Sequence, residues 1–203
     1  MTPRAATKAS YHHGSLESAL VDAAITLVRK YGPDQLSLRA VSAEIGVSPS
    51  ASYHHFRDKD ALVTAISNVL FDRLAAMQEK AIAKVKGNGA TAAVKKFEEM
   101  GNAYFAWATS EPNLYRLMFG GYCEINMEEH DSKSWNLLRE ALDELMAHGV
   151  IDKSARNGGE VIAWSAVHGA SSLAIEGLIP ASDFPMVQKS IQRSLGIETR
   201  SKK

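Results

Sequence analysis

The chain has 203 residues, 45% of them apolar, with 23 Lys and Arg against 23 Asp and Glu and one cysteine, Cys123. That length holds one medium domain or a small head fused to a larger body, and the apolar content supports a packed core rather than disorder. Charge excludes nucleic-acid recognition by bulk basicity: residues 1–60 carry seven Lys and Arg against six Asp and Glu, the rest sixteen against seventeen, so any DNA contact rests on a few placed cations and dipoles. A lone thiol excludes an intrachain disulfide framework and suits a reducing cytoplasm, and no stretch approaches the ~18 apolar residues of a membrane span.

Residues 1–10 carry Arg4 and Lys8 without an apolar stretch, which reads as a short basic arm and not as a signal peptide. From there almost every segment repeats at helical period, with no sustained period-two alternation. Leu16, Leu20, Ala23, Ala24, Leu27, Val28 and Tyr31 form one apolar stripe that Gly32-Pro33 ends. Ser37 is placed to cap a short helix from Leu38 to about Ile45, with Leu36 and Val41 at the positions of a hydrophobic staple. Gly46 stops it. Ser48-Pro49 opens a second short helix, ending near Phe56. Asp58 caps a long helix with the stripe Leu62, Ile66, Val69, Leu70, Leu74, Met77, Ala81, fading into Lys86-Gly87-Asn88-Gly89.

A further helix carries Val94 to Ala108, and Glu111-Pro112 separates it from a short one over residues 113–119. Gly120-Gly121 opens a polar loop through Asp131. Trp135, Leu138, Leu142 and Leu145 mark the next helix, residues 155–178 a long one rich in small residues, and residues 185–195 the last. The expectation is an all-α fold of about nine helices, with a three-helix head over residues 11–60 and a larger body over 61–198.

The most informative stretch is Ser37 to Phe56. Two short helices joined at a glycine, which takes the positive φ of a tight turn, with Val41, Ile45 and Val47 between them, have the pattern of a helix-turn-helix. Its second helix would present an N-terminus with free amides and a positive dipole to phosphate. Ser48 and Ser50 suit contact with a base edge or phosphate, Tyr53 and His54 reach the groove wall, and Lys59 reaches the backbone. Ser37, Arg39 and Ala51 complete the candidate DNA-binding set. His54 and His55 point about 100° apart on a helix and do not converge on a metal, so no metal and no cofactor is expected.

Leu38, Val41, Ile45-Gly46-Val47-Ser48, Tyr53, Phe56, Lys59 and Leu62 together resemble the TetR family of regulators. Tyr11-His12-His13-Gly14-Ser15-Leu16 and Trp164-Ser165-Ala166-Val167-His168-Gly169 resemble one subgroup, whose C-terminal domain is marked by Trp, His and Gly. The resemblance covers essentially the whole chain and is strongest over residues 11–70. Two positions depart from the family pattern: Ser42, where Ala is usual, and Ser52, where an apolar residue is usual. Losing an apolar contact between residue 52 and Val47 predicts a slightly looser recognition helix, at a cost of about 1 kcal/mol.

Aromatic and Met residues of the body are candidates for a cavity wall: Met100, Tyr104, Phe105, Leu117, Met118, Tyr122, Trp135, Trp164 and His168, with Trp107 and Phe119. Each has a plainer reading as core, and His168, one turn from Trp164, either bonds a neighbour or a ligand. The resemblance implies an inducer pocket for a hydrophobic small molecule, and a homodimer through the last two helices that binds a palindromic double-stranded DNA operator. It implies a cytoplasmic repressor. The competing readings are a DNA-binding protein without ligand gating and an all-α enzyme. For the enzyme, Cys123 beside Glu124 lacks a histidine at useful spacing, residues 128–131 read as a solvated turn, and no phosphate loop or hydrolase motif occurs.

Overall fold

The computed structural model describes residues 13–122 and 133–197, with side chains from Leu16 onward. The basic arm, Cys123 with the acidic loop behind it, and the tail from residue 198 lie outside the described residues. Ten α-helices and two single turns of 3-10 helix, Pro33–Gln35 and Ala181–Asp183, make up the described fold: α1 (His13–Tyr31), α2 (Leu38–Glu44), α3 (Pro49–Tyr53), α4 (Lys59–Ile82), α5 (Ala90–Ser110), α6 (Pro112–Phe119), α7 (Lys133–Ala147), α8 (Lys153–Arg156), α9 (Gly159–Ile175) and α10 (Phe184–Ser194). No strand occurs among the described residues, and no helix of theirs is long and apolar enough to cross a membrane.

Local chemistry sets the helix starts. Ser37 Oγ accepts the Ala40 N–H at 3.1 Å, Ser48 Oγ the Ala51 N–H at 3.2 Å, and Asp58 Oδ1 the Ala61 N–H at 2.8 Å. Each cap satisfies an amide that the helix itself leaves unpaired. Gly46, at φ 71°, makes the turn between α2 and α3, a backbone state that costs a side-chain-bearing residue about 1 kcal/mol or more. α3 is shorter than expected and ends at Tyr53; the chain then turns so that Phe56 enters the core.

The expected helix over 155–178 is broken. Asp152 caps the single turn α8 through the Ala155 N–H at 2.8 Å, and Gly158, at φ 79°, redirects the chain before α9 starts. Arg156 braces the corner, bonding Asp143 at 2.6 Å and Glu160 at 2.7 Å. Gly159 then lets α9 lie close on α7, since a Cβ there would sit 3.3 Å from Leu142.

α4 packs against α1, α5, α6 and α7. Leu62, Ile66, Leu70 and Leu74 are all but fully buried along it, each stabilising by up to about 1.5–3 kcal/mol. They belong to one continuous core that also holds Val28 of α1, Val41 of α2, Leu117 of α6, Leu142 of α7 and Leu195 at the end of α10. α6 lies against α1, where Arg29 of α1 pairs with Glu111 at 2.9 Å and Asn113 donates to the Arg29 carbonyl at 3.1 Å.

Candidate nucleic-acid interface and ligand cavity

α2 and α3 pack through Val41, Ser42 and Ser52, all essentially inaccessible. Ser42 Oγ donates to the Leu38 carbonyl at 2.6 Å, and Ser42 and Ser52 share a hydrogen bond at 2.7 Å. The two departures from the family pattern are therefore a bonded pair. The loose joint expected at Ser52 is not there; a buried polar contact stands where an apolar one was expected, and buried hydroxyls that find each other avoid the desolvation cost of an unpaired group.

On the outer face of this unit Ser37, Arg39, Ser48, Ser50, Tyr53 and His54 are exposed, in the positions a helix-turn-helix offers to DNA. Ala51 is half-buried behind them. Lys59 is half-buried as well and turns back on the protein: its Nζ lies 3.5 Å from the Pro33 carbonyl and 5.5 Å from the centre of the Tyr122 ring. The first turn of α3 has fewer free amides than its sequence promises. Pro49 has none, and Ala51 and Ser52 donate to Ser48, which leaves the Ser50 N–H. His55 faces Glu17 at 3.8 Å, and the described residues contain no cluster of His, Cys, Asp or Glu that could hold a metal.

A cavity of about 60 Å³ opens between α4, α5, α7, α9 and α10. Met100, Tyr104, Trp135 and Trp164 line it. Phe71, Phe97, Leu138, Val167 and Ile191 add apolar wall, and Gln78, Glu98, Ser134, Gln188 and Gln192 add polar groups that residue-by-residue reading missed. The other candidates sit elsewhere. Phe105 stacks on Phe184 with ring centres 4.0 Å apart, Leu117 and Met118 are core, and Tyr122 bonds Asp34 of the Pro33–Gln35 turn.

His168 stands behind the cavity wall. Its Nδ1 is 3.0 Å from the Tyr104 hydroxyl and 2.9 Å from that of Tyr115, which also bonds Ser172 Oγ at 2.9 Å and the His168 carbonyl at 3.0 Å. Burial lowers the His168 pKa and raises those of both tyrosines, so at neutral pH this is a network of uncharged groups. Nδ1 acts as its acceptor when the ring carries its proton on Nε2. The network joins α5 in the cavity wall, α9, and α6, which lies against α1.

The α9 surface away from the cavity is apolar and open: Val161, Ile162 and Leu173 are exposed on it, with Leu178 just past its end and Met186 on α10. Nothing within 4 Å would meet a Cβ at Gly169 on the same helix.

Comparison with known proteins agrees with this architecture. Residues 20–66 match the model of the bacterial regulatory proteins of the tetR family, and residues 97–196 that of the tetracyclin repressor-like C-terminal domain. An HTH-type transcriptional repressor of Mycobacterium tuberculosis is 35% identical over 69 residues, 34% of this chain. An HTH-type transcriptional regulator of Haemophilus influenzae is 30% identical over 101 residues, 49% of this chain. The matched stretches span only 37% and 47% of those relatives' own lengths. A solved structure from Rhodococcus sp. RHA1, of a protein of unknown function, superposes with a TM-score of 0.77 at 29% identity, covering 93% of this chain and all of that one. With both halves of the fold matched in chain order, the chain belongs to the TetR family of regulators.

Proposed function

We propose that this chain is a DNA-binding transcriptional repressor that leaves its operator when a small hydrophobic molecule occupies the cavity in its body. The reading divides the chain into a DNA-binding head over residues 11–60 and a ligand-binding, dimerising body over residues 61–198. The observation that carries it is the link between cavity and head. Tyr104 in the cavity wall is bonded through His168 to Tyr115 of α6, and α6 is held to α1 of the head. A ligand that moves the wall therefore acts on the element against which the head rests. α4, which enters the head at Asp58, is the second path.

In this reading the dimer forms through α9 and α10 and sets two copies of α3 about 34–36 Å apart, one turn of DNA or somewhat more, which calls for a near-palindromic operator. Ser37, Arg39, Ser48, Ser50, Ala51, Tyr53 and His54 meet the DNA, and Lys59 joins them when it releases the Pro33 carbonyl. The protein works in the cytoplasm.

The test is a gel-shift titration on DNA from upstream of the protein's own gene, with and without a saturating ligand found by thermal-shift screening. Operator affinity falling by tenfold or more, about 1.4 kcal/mol, supports gating. Unchanged affinity sinks it and leaves a constitutive DNA-binding protein.

A further inference from the structure

We infer that Tyr122 restrains Lys59: it binds the Pro33–Gln35 turn, holds the Lys59 ammonium against its ring, and must release it when DNA is bound. The inference rests on the reading of Lys59 as a phosphate contact and adds the residue that controls it. Three elements meet at this corner. Tyr122 follows α6, Asp34 lies in the turn between α1 and α2, and Lys59 opens α4 soon after α3. The Tyr122 hydroxyl donates to Asp34 Oδ1 at 2.5 Å. Lys59 Nζ lies 5.5 Å from the centre of the Tyr122 ring, within cation–π range, and 3.5 Å from the Pro33 carbonyl. Pro33 and Asp34 are chain neighbours, so the ring and the ammonium are fixed to the same turn.

Two glycines build the corner. A Cβ at Gly120 would stand 2.5 Å from the Arg116 carbonyl oxygen and 3.1 Å from Tyr122 Cε2, so a side chain there would push the ring or the last turn of α6 out of place. Gly121 takes φ 78°, a state that a residue with a side chain adopts only at a cost. The two contacts of Tyr122 differ in strength. Its bond to Asp34 is charge-assisted, and the carboxylate keeps the phenol protonated by raising its pKa. The hold on Lys59 is weaker. Neither a carbonyl nor a ring face is a carboxylate, so the ammonium keeps its full charge, and a DNA phosphate displaces both. Until then Lys59 is half-buried and turned toward Tyr122, while Ser48, Ser50, Tyr53 and His54 stand exposed. The free chain thus withholds one cation, and the fraction with Lys59 released scales its apparent affinity for DNA.

Two measurements on the full chain test this: binding of a duplex from upstream of the protein's own gene over a salt series, and reductive methylation of Lys59 in the free protein, read by mass spectrometry. A random-sequence duplex serves equally where the upstream DNA is not bound, since phosphate contacts carry no sequence information. Lys59→Met is expected to weaken binding and to flatten the slope of log affinity against log salt by about 0.9 for each Lys59 in the complex. Tyr122→Leu is expected to tighten binding about two- to fivefold per chain and to speed methylation of Lys59 severalfold. Tyr122→Phe keeps the ring but loses the Asp34 bond, so it moves both readouts the same way by less, and it stands in should the leucine variant fold poorly. In a Lys59→Met background neither tyrosine variant changes affinity. Unchanged or weaker binding by the Tyr122 variants, a gain that persists without Lys59, or methylation as fast in the wild type as in Tyr122→Leu overturns the inference. The underlying reading fails separately. Lys59→Met with wild-type affinity and slope removes Lys59 from the DNA contacts, whereas Lys59→Met that weakens binding beside silent Tyr122 variants keeps the contact and removes only its restraint.

Discussion

Ser42 of α2 and Ser52 of α3 share a buried hydrogen bond of 2.7 Å, and among the described residues only Ser42 has a second partner, the Leu38 carbonyl at 2.6 Å. The pair is therefore asymmetric. Ser52→Ala leaves Ser42 bonded to Leu38 and costs about 1 kcal/mol. Ser42→Ala leaves the Ser52 hydroxyl buried without a partner and costs more, about 1–3 kcal/mol. The double alanine variant costs less than the two singles together. Urea unfolding of the three variants checks the order, and an additive double variant would show that the bond contributes nothing of its own.

His168 gives stability a defined pH dependence. Burial sets its folded pKa below the ordinary 6.5, so below that value the unfolded chain takes up a proton before the folded one does. The stabilisation is fully present above about pH 6.5 and is lost as pH falls from there toward the folded pKa. Melting temperatures are expected to drop between pH 7 and pH 5, and to drop less in His168→Gln, which keeps an acceptor for Tyr104 and Tyr115. Parallel pH profiles for the two proteins would remove His168 from the account.

What was legible in the sequence was local. Ser37, Ser48 and Asp58 announce helix starts because a cap needs only its own next few residues, and Gly46 announces its turn for the same reason. The break at Asn157-Gly158 is written in the sequence as Asn-Gly-Gly, a turn signal, and the reading of one long helix overrode it because the small residues on either side keep helical period through it. The cavity was half legible. Its aromatic wall stands out by composition, but Phe105, Leu117 and Met118 have the same composition and are spent on the core. Gln78, Gln188 and Gln192 look like solvent-facing helix residues. Only position marks Gln78: it continues the buried series Leu70 and Leu74 at the next i+4 step. Ser42 and Ser52 are ten residues apart, and no periodicity reports a bond across a turn.

The open face of α9 predicts the assembly. Val161 is 60% exposed and Leu178 71%, and with Ile162, Leu173 and Met186 they are large apolar side chains left open on α9, just past it and on α10. Paired α9 and α10 helices from two copies would cover them. Val161→Glu with Leu173→Glu is expected to turn a dimer into a monomer by light scattering, with little change in helix content. The same variant loses operator affinity by about two orders of magnitude, because one head then binds without the other. A variant that stays dimeric would move the interface to another face.

The α1–α6 seam predicts a variant that separates binding from response. Arg29 Nε lies 3.1 and 2.9 Å from the two Glu111 oxygens, and Asn113 holds the Arg29 carbonyl. The ion pair is partly exposed, Arg29 by about half, so Glu111→Gln costs under about 1 kcal/mol of stability. The cavity is untouched, and ligand affinity stays the same. If α6 carries the signal from Tyr115 to the head, Glu111→Gln with Asn113→Ala loosens that transmission. The ratio of operator affinities without and with ligand then shrinks severalfold, as expected of a change in coupling alone. Calorimetry for the ligand and gel shift for the operator, measured on the same preparation, give both quantities. An unchanged ratio would assign the signal to α4 instead.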